Sequence, residues 1–326
     1  SGIPGGRPSR LPKREFLWRV FYEMGRTLAG HEIQKTLSVI DWFTGMDPST
    51  PIGVIGYGEG GMIAFHAAAL DPRISAVAVS GYFQPRENLW KEPIYRNVWS
   101  LLTRFGDAEV AGLIAPWPLI IESGAYPQVV HPTPGDPQPG GTAPGELTIP
   151  DRTQVQREVN RAREWVKDLQ PAARIHFVEG QSDEIGKEET LTLFLRELGI
   201  EEPLRPDGRP PRVTRPGMNP EERARRQYAQ LYEDGQALTR DSEFTREKFW
   251  AAADRSNLDA FVQSSAWFRD YFKNEIIGPL PEPSLPPNPR TRKIYDTPAF
   301  TGYEVMLDVY PGIFAYGILL LPKDIQ

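Results

Sequence analysis

Six uncharged residues, Ile52-Gly53-Val54-Ile55-Gly56-Tyr57, run straight into Gly58-Glu59-Gly60-Gly61, and residues that are small or apolar, His66 apart, continue from Met62 to Leu70. A short apolar run bounded by turn residues reads as a buried strand, and the stretch after it reads as a helix. A strand that gives way to a helix across so few residues must turn sharply, which requires small side chains at the corner. The same alternation recurs downstream. Ile74 to Ser80, Pro118 to Glu122 and Arg174 to Glu179 read as strands, with helices over about Thr153–Leu169 and Glu188–Leu198, the last ending at Gly199. Strands apolar on both faces and separated by helices argue for an α/β arrangement, a parallel sheet covered by helices.

Around this block the chain changes character several times. Residues 1–14 are rich in Gly, Pro and Arg and read as an irregular lead-in. Helices are expected from Arg14 to Leu28 and from about His31 to Phe43, where Ile33, Leu37 and Ile40 share a face and Gly45, Asp47 and Pro48 end the run. Helical material is expected over Tyr95–Thr103 and Ala108–Leu113, and a Pro/Gly loop over residues 123–150. Residues 201–220 read as a Pro/Arg linker and residues 221–277 as a helical connector, with a break near Leu238–Phe244. Leu231, Leu238, Phe249, Leu258, Phe261, Trp267, Phe268 and Phe272 supply apolar faces to this connector, more in the manner of a docking face than of a cofactor site. Residues 278–292 hold six prolines and read as an extended linker. Tyr303–Tyr310 and Ile313–Leu321 flank Pro311-Gly312 as a β-hairpin.

The 326 residues suggest two folded units, and 33 prolines, clustered rather than scattered, mark linkers and loops. A net charge of −6 provides no general attraction to nucleic acid or to an anionic membrane. Arg223, Arg225 and Arg226 stand among acidic residues and read as a solvated helix face. Having no cysteine, the chain has no disulfide, thiolate metal site or cysteine nucleophile, which is compatible with any compartment. No apolar run reaches the roughly 18–20 residues needed to span a bilayer. Neither a metal nor a cofactor is implied: the four histidines are far apart, without a His-x-x-x-His pair. No signal peptide is evident, and both ends read as cut.

Two chemistries compete for the glycine cluster. As G-x-G-x-x-G, Gly56, Gly58 and Gly61 are a dinucleotide fingerprint, which needs a carboxylate about 20 residues on to hold a ribose. That place holds Ser80, Gly81 and Tyr82, and Asp71 precedes the strand. As G-x-S-x-G with glycine for serine, Gly56-Tyr57-Gly58-Glu59-Gly60 is a nucleophile elbow, with Gly60 and Gly61 letting the helix pack close to the strand. A plain structural turn is the third reading.

The wider context favours the elbow. Gly30-His-Glu-Ile-Gln-Lys-Thr36, Ile40-Asp-Trp-Phe43, the glycine cluster and Ala67-Ala-Ala-Leu-Asp-Pro-Arg-Ile74 together are similar to the acetyl xylan esterase and dienelactone-hydrolase-like members of the α/β-hydrolase superfamily, over roughly residues 10–200. The C-terminal hairpin resembles the opening strands of the same family. The resemblance implies the back half of one hydrolase module over residues 1–200, a linker over 201–220, a helical connector over 221–277, a second linker over 278–292, and the first strands of a second, truncated module over 293–326.

It further implies where a triad should sit. The nucleophile position falls on Gly58, which has no side chain. The acid belongs after the third strand, where Glu122 is the nearest carboxylate, and the histidine belongs in the loop Gly180–Gly186, which has none. His131 is the sole loop histidine, His176 lies within a strand, and His31 and His66 lie on helices. Glu59 follows the apex and is expected to pair with a nearby cation rather than to react, while its backbone N–H would survive as an oxyanion donor. The expectation is an esterase-like module without serine-hydrolase activity, or a non-catalytic binding or scaffold partner of an adjacent hydrolase module. Its ligands would be small esters or acetylated saccharides, with Trp18, Trp42, Trp90, Trp99 and Trp117 as candidate saccharide contacts, although most such aromatics are core or interface residues.

Overall fold

A computed structural model describes residues 11–125, 128–131, 141–180, 185–205, 208, 212, 217 and 219–324. Contacts divide the chain into two compact units, Ser1–Glu243 and Phe244–Gln326.

The first unit opens with α1 (Lys13–Tyr22) and α2 (Leu28–Met46), followed by β1 (Ile52–Tyr57), α3 (Glu59–Leu70) and β2 (Ile74–Ser80). The helix expected over Arg14–Leu28 ends early, at Tyr22, and the one expected from about His31 begins at Leu28. The chain turns at Gly25 (φ 66°), and Thr27 caps α2 by accepting from the Gly30 N–H. After β2 come short 3-10 turns, then α4 (Asp107–Ile114), β3 (Leu119–Ser123), β4 (Val129–His131), β5 (Gly145–Leu147), α5 (Arg152–Trp165), β6 (Ile175–Glu179), α6 (Glu188–Glu197) and α7 (Pro220–Phe249). Two expectations fail in this region. Tyr95–Thr103 forms isolated 3-10 turns rather than one helix, because Asn97 is extended and Ser100 is left-handed (φ 61°) between Ile94–Arg96 and Leu101–Thr103. The loop over residues 123–150 contains the antiparallel pair β4–β5.

The sheet runs β1-β2-β3-β6, all parallel, so β1 and β6 are its edges. Helices α3, α4 and α5 cover one face, where Phe65, Ala67, Val77, Val79, Ile121 and Val159 belong to the main core. On the other face Phe194 of α6 packs with Ala76, Ala78, Ile120 and Val178. Strands β2 and β3 are buried almost throughout, as their continuous apolar sequence requires. A smaller core joins Leu17, Trp18 and Phe21 of α1 to Tyr228, Leu231 and Tyr232 of α7. Gly235 belongs to this contact, since a Cβ there would lie 2.5 Å from Val20 Cγ1. The break expected near Leu238–Phe244 does not occur. α7 is continuous through this stretch, and the Thr239 and Ser242 hydroxyls bond back to the carbonyls of Gly235 and Thr239 one turn earlier. Arg223, Arg225 and Arg226 are exposed on α7.

In the second unit α8 (Leu258–Ser264) is followed by α9 (Ala266–Tyr271), whose Trp267, Phe268 and Tyr271 pack ring against ring with Phe249, and Trp250 stacks on Phe268 at 4.2 Å. The proline-rich stretch has no helix or strand until β7 (Arg290–Asp296), which precedes β8 (Phe300–Tyr310) and β9 (Ile313–Pro322). The expected hairpin turns at Gly312 (φ 78°) and gains β7 as a third antiparallel strand. Polar, charged Arg290–Lys293 hid that strand from hydropathy.

Candidate functional site: a strand-to-helix elbow with glycine at its apex

The turn between β1 and α3 is completed at one residue. Tyr57 still pairs with Ser80, the Gly58 N–H donates to the Ser80 carbonyl (2.9 Å), and the Gly58 carbonyl already accepts from the Met62 N–H of α3 (3.0 Å). Gly58 takes φ 55° and ψ −118°, a conformation that residues with a Cβ rarely adopt. The corner lies at the carboxyl ends of the parallel strands, the edge at which α/β sheets hold their ligands. As the first residue of α3, Glu59 has a backbone N–H with no helical carbonyl to accept it.

The glycines around the apex are not equivalent. A Cβ on Gly56 would lie 2.0 Å from the Gly60 carbonyl oxygen, and one on Gly61 would be 3.1 Å from the Ser80 oxygen. At Gly60 a Cβ would meet nothing within 4 Å. The close approach assigned to Gly60 and Gly61 belongs to Gly56 and Gly61, because Gly60 faces outward on the first turn.

Glu59 does pair with a cation. Its Oε1 accepts from Arg96 Nε (3.0 Å), and its Oε2 lies 3.9 Å from Arg14 Nη2. Arg14 in turn holds Glu32 through both terminal nitrogens and lies over the Tyr95 ring. Arg96 also binds Glu92, which binds Arg86, whose guanidinium makes two bonds to Asp107 (2.9 and 2.8 Å). Arg86 and Asp107 are almost wholly buried. An ionic chain thus runs from the start of α4 to the elbow. Sequence reading missed it: only the Glu92–Arg96 spacing is local, and the other partners are brought together by folding.

Glu122 lies within β3, at the strand's end as expected, but is buried at 1% exposed rather than solvated. Burial by itself would raise its pKa. Hydrogen bonds from Ser80 Oγ, Thr190 Oγ1 and the Gly186 and Lys187 N–H groups more than offset this and hold it below the usual glutamate value. Two donors on each oxygen make Glu122 a tie between β2, β3 and the start of α6, with little capacity left to orient an imidazole. Gly58 and Glu59 are adjacent at the elbow, while Glu122 belongs to this separate cluster, joined to the elbow through Ser80.

Two of the four histidines are hydrogen-bonded away from the elbow's apex. His176 Nε2 is 2.9 Å from Glu197 Oε1, and His66 Nδ1 is 2.9 Å from the Met62 carbonyl within α3. His31 packs on Phe21, and His131 sits in β4 beside Tyr95. Residues 181–184, in the loop expected to carry the catalytic histidine, lie outside the described residues, but their sequence is Gln-Ser-Asp-Glu. The dinucleotide alternative fares no better. Ser80, at the end of β2, commits its hydroxyl to Glu122, and Asp71 is paired with Arg73. Among the described residues no group of three or more His, Asp or Glu is placed to hold a metal. No helix among them is long and apolar enough to cross a membrane.

No family model matches the chain. Over 111 residues it is 35% identical to a Bacillus subtilis (strain 168) protein named "Putative hydrolase YtaP", a match covering 30% of this chain and 37% of that protein. The chain thus spans well under half the length of that curated relative. Among solved structures it is similar to "a putative acetyl xylan esterase (BF1801)" of Bacteroides fragilis, at 14% identity and a TM-score of 0.35, over 57% of this chain and 47% of the other. It is also similar to the Pyrococcus furiosus esterase Pf2001, at 13% identity and a TM-score of 0.31, over 53% and 60% of the two chains. In sequence the chain is thus similar, over part of its length, to a protein named as a putative hydrolase, and its fold is an α/β arrangement in which a parallel sheet meets its first covering helix at a sharp corner.

Proposed function

We propose that the protein is hydrolase-related and that its elbow module does not cleave esters by the serine route, acting instead as a binding or scaffold partner to an adjacent hydrolase-like module. Its ligand class would be small esters or acetylated saccharides. The observation that carries this reading is glycine at the apex, where the attacking oxygen would have to be. Loss of the nucleophile alone removes on the order of 10⁶ of the rate in a serine hydrolase. Two further features support it: Glu122 spends its acceptor capacity on four protein donors, and His176 and His66 are hydrogen-bonded to Glu197 and to the Met62 carbonyl.

The test is p-nitrophenyl acetate turnover and fluorophosphonate labelling of the full chain, native and as Gly58→Ser. Neither form should turn over the ester above background or take up label, because a serine restored at 58 has no imidazole to accept its proton. Stoichiometric labelling of a serine in the native chain, or burst kinetics with it, refutes the proposal.

A further inference from the structure

Strand β9 is an edge of the second unit's sheet, hydrogen-bonded to β8 on one side only. Its ten residues, Ile313–Pro322, carry no charge, and every one of them is exposed. By the period of two, Phe314, Tyr316, Ile318 and Leu320 lie on one face, and Ile313, Leu319 and Leu321 on the other. A run apolar on both faces has the composition of an interior strand. Edges are ordinarily protected by brevity, a charge, a bulge or a proline, and β9 has only a proline at its last position. The carboxylates of Glu304 and Asp308 on β8 are paired with Arg292 and Arg290 of β7, at the opposite edge.

We propose that β9 pairs antiparallel with β9 of a second copy of this chain, about a two-fold axis at Gly317, so that two sheets join edge to edge. The inference concerns the second unit alone and stands apart from the hydrolase reading. The ladder identifies the groups left on the free edge. The Asp308 N–H donates to the Pro287 carbonyl (2.8 Å), on the side of β7, so Asp308 turns its backbone away from β9. Phe314, its pair across the ladder, therefore aims its own N–H and C=O outward, and by alternation so do Tyr316, Ile318 and Leu320. About Gly317 these four residues are their own complement. Phe314 falls opposite Leu320 of the second copy and Tyr316 opposite Ile318, and each such pair exchanges two bonds. The axis thus generates about eight, near the roughly ten of a typical specific interface. An axis at Ile318 would set Phe314 opposite Pro322, which has no N–H to give. An axis at Tyr316 would set Leu320 opposite Gly312, in the turn. The Gly317 register also brings Ile313 beside Leu321 and Ala315 beside Leu319 on the other face, so every cross-strand pair is apolar, the kind that stabilises a sheet. A second copy meets no like charge along the strand, whereas a charged peptide would find no counter-ion there. A contact of this kind uses the same patch on both chains and closes at two.

The test is sedimentation velocity of the full chain across the micromolar range, where a reversible dimer is expected. Ile318→Lys sets a lysine from each chain beside the axis and should abolish the dimer. Val262→Lys is the control: Val262, on α8, is 48% exposed against 51% for Ile318, and its replacement should leave the dimer intact. Circular dichroism identical to that of the native chain shows that the variants fold. A second measurement reads the register. The chain has no cysteine, and a Cβ at Gly317 meets nothing within 4 Å, so Gly317→Cys adds one thiol per copy without a clash. Across the axis Gly317 faces its own copy as a pair without hydrogen bonds, with Cα atoms about 4.5 Å apart, within reach of a disulfide. Air oxidation should link Gly317→Cys into a covalent dimer well before Trp165→Cys, whose thiol would stand exposed on α5. A monomer throughout, growth beyond two chains into open polymers, equal loss in Ile318→Lys and Val262→Lys, or equal cross-linking of the two cysteine variants overturns the proposal.

Discussion

Replacing Gly56 by alanine and, separately, Gly60 by alanine gives a sharp test of the elbow, because the sequence pattern makes the two look interchangeable. At Gly56 the new methyl would lie 2.0 Å from the Gly60 carbonyl oxygen, 2.4 Å from its carbon and 2.7 Å from the Gly61 nitrogen. All three are backbone atoms at the start of α3, so no rotamer change can relieve the contact. The helix must move away from β1. Overpacking a tight interior costs typically 1–3 kcal/mol, and with backbone on the receiving side the upper end, about 3 kcal/mol, applies. For a unit of this size each kcal/mol lowers Tm by roughly 2–4 °C, so Gly56→Ala should melt about 6–12 °C below the native chain. Gly60→Ala adds a methyl in open space on the first turn of a helix, where alanine is favoured over glycine by up to about 1 kcal/mol. Its Tm should be unchanged or a few degrees higher. Differential scanning calorimetry of the three proteins decides the matter. Equal melting of Gly56→Ala and the native chain would mean that β1 and α3 do not meet at this corner.

Three other perturbations follow from the site. Gly58→Ser places a Cβ at φ 55°, ψ −118° and should cost about 1–3 kcal/mol, read by urea denaturation; a stabilised variant would contradict the geometry. Arg86→Met leaves Asp107 buried without its cation and should cost about 3–5 kcal/mol, whereas a loss below about 1 kcal/mol would show that the pair is not formed. Glu122→Gln turns an amide N–H₂ toward donors that need an acceptor and should cost about 1–3 kcal/mol at pH 7. Because the Glu122 pKa is lowered in the folded state, its stabilisation is complete above the unfolded value near 4.5 and fades as pH falls below it toward the folded value. The stability gap between native and Glu122→Gln proteins should therefore narrow below about pH 4.5. A gap constant from pH 7 to 3 would refute the carboxylate role.

Much of the fold was legible because its signals are local. The apolar runs at Ile52–Tyr57 and Ile74–Ser80, the small-residue helix after Gly61 and the hairpin turn at Pro311-Gly312 each declare themselves within ten residues, through hydropathy and turn chemistry. The glycine at position 58 was also plain from the sequence. Features built from distant residues were not. Strand β7 is polar and has meaning only beside β8. Nothing near Glu122 shows that Ser80 and Thr190, 42 and 68 residues away, will fill its acceptor positions. Likewise, no local pattern announces that Arg96 will hold Glu59, 37 residues away. Burial and partnership depend on what the chain brings together across tens of residues, so tertiary structure alone decided which glycine is sterically required and which carboxylate is spent.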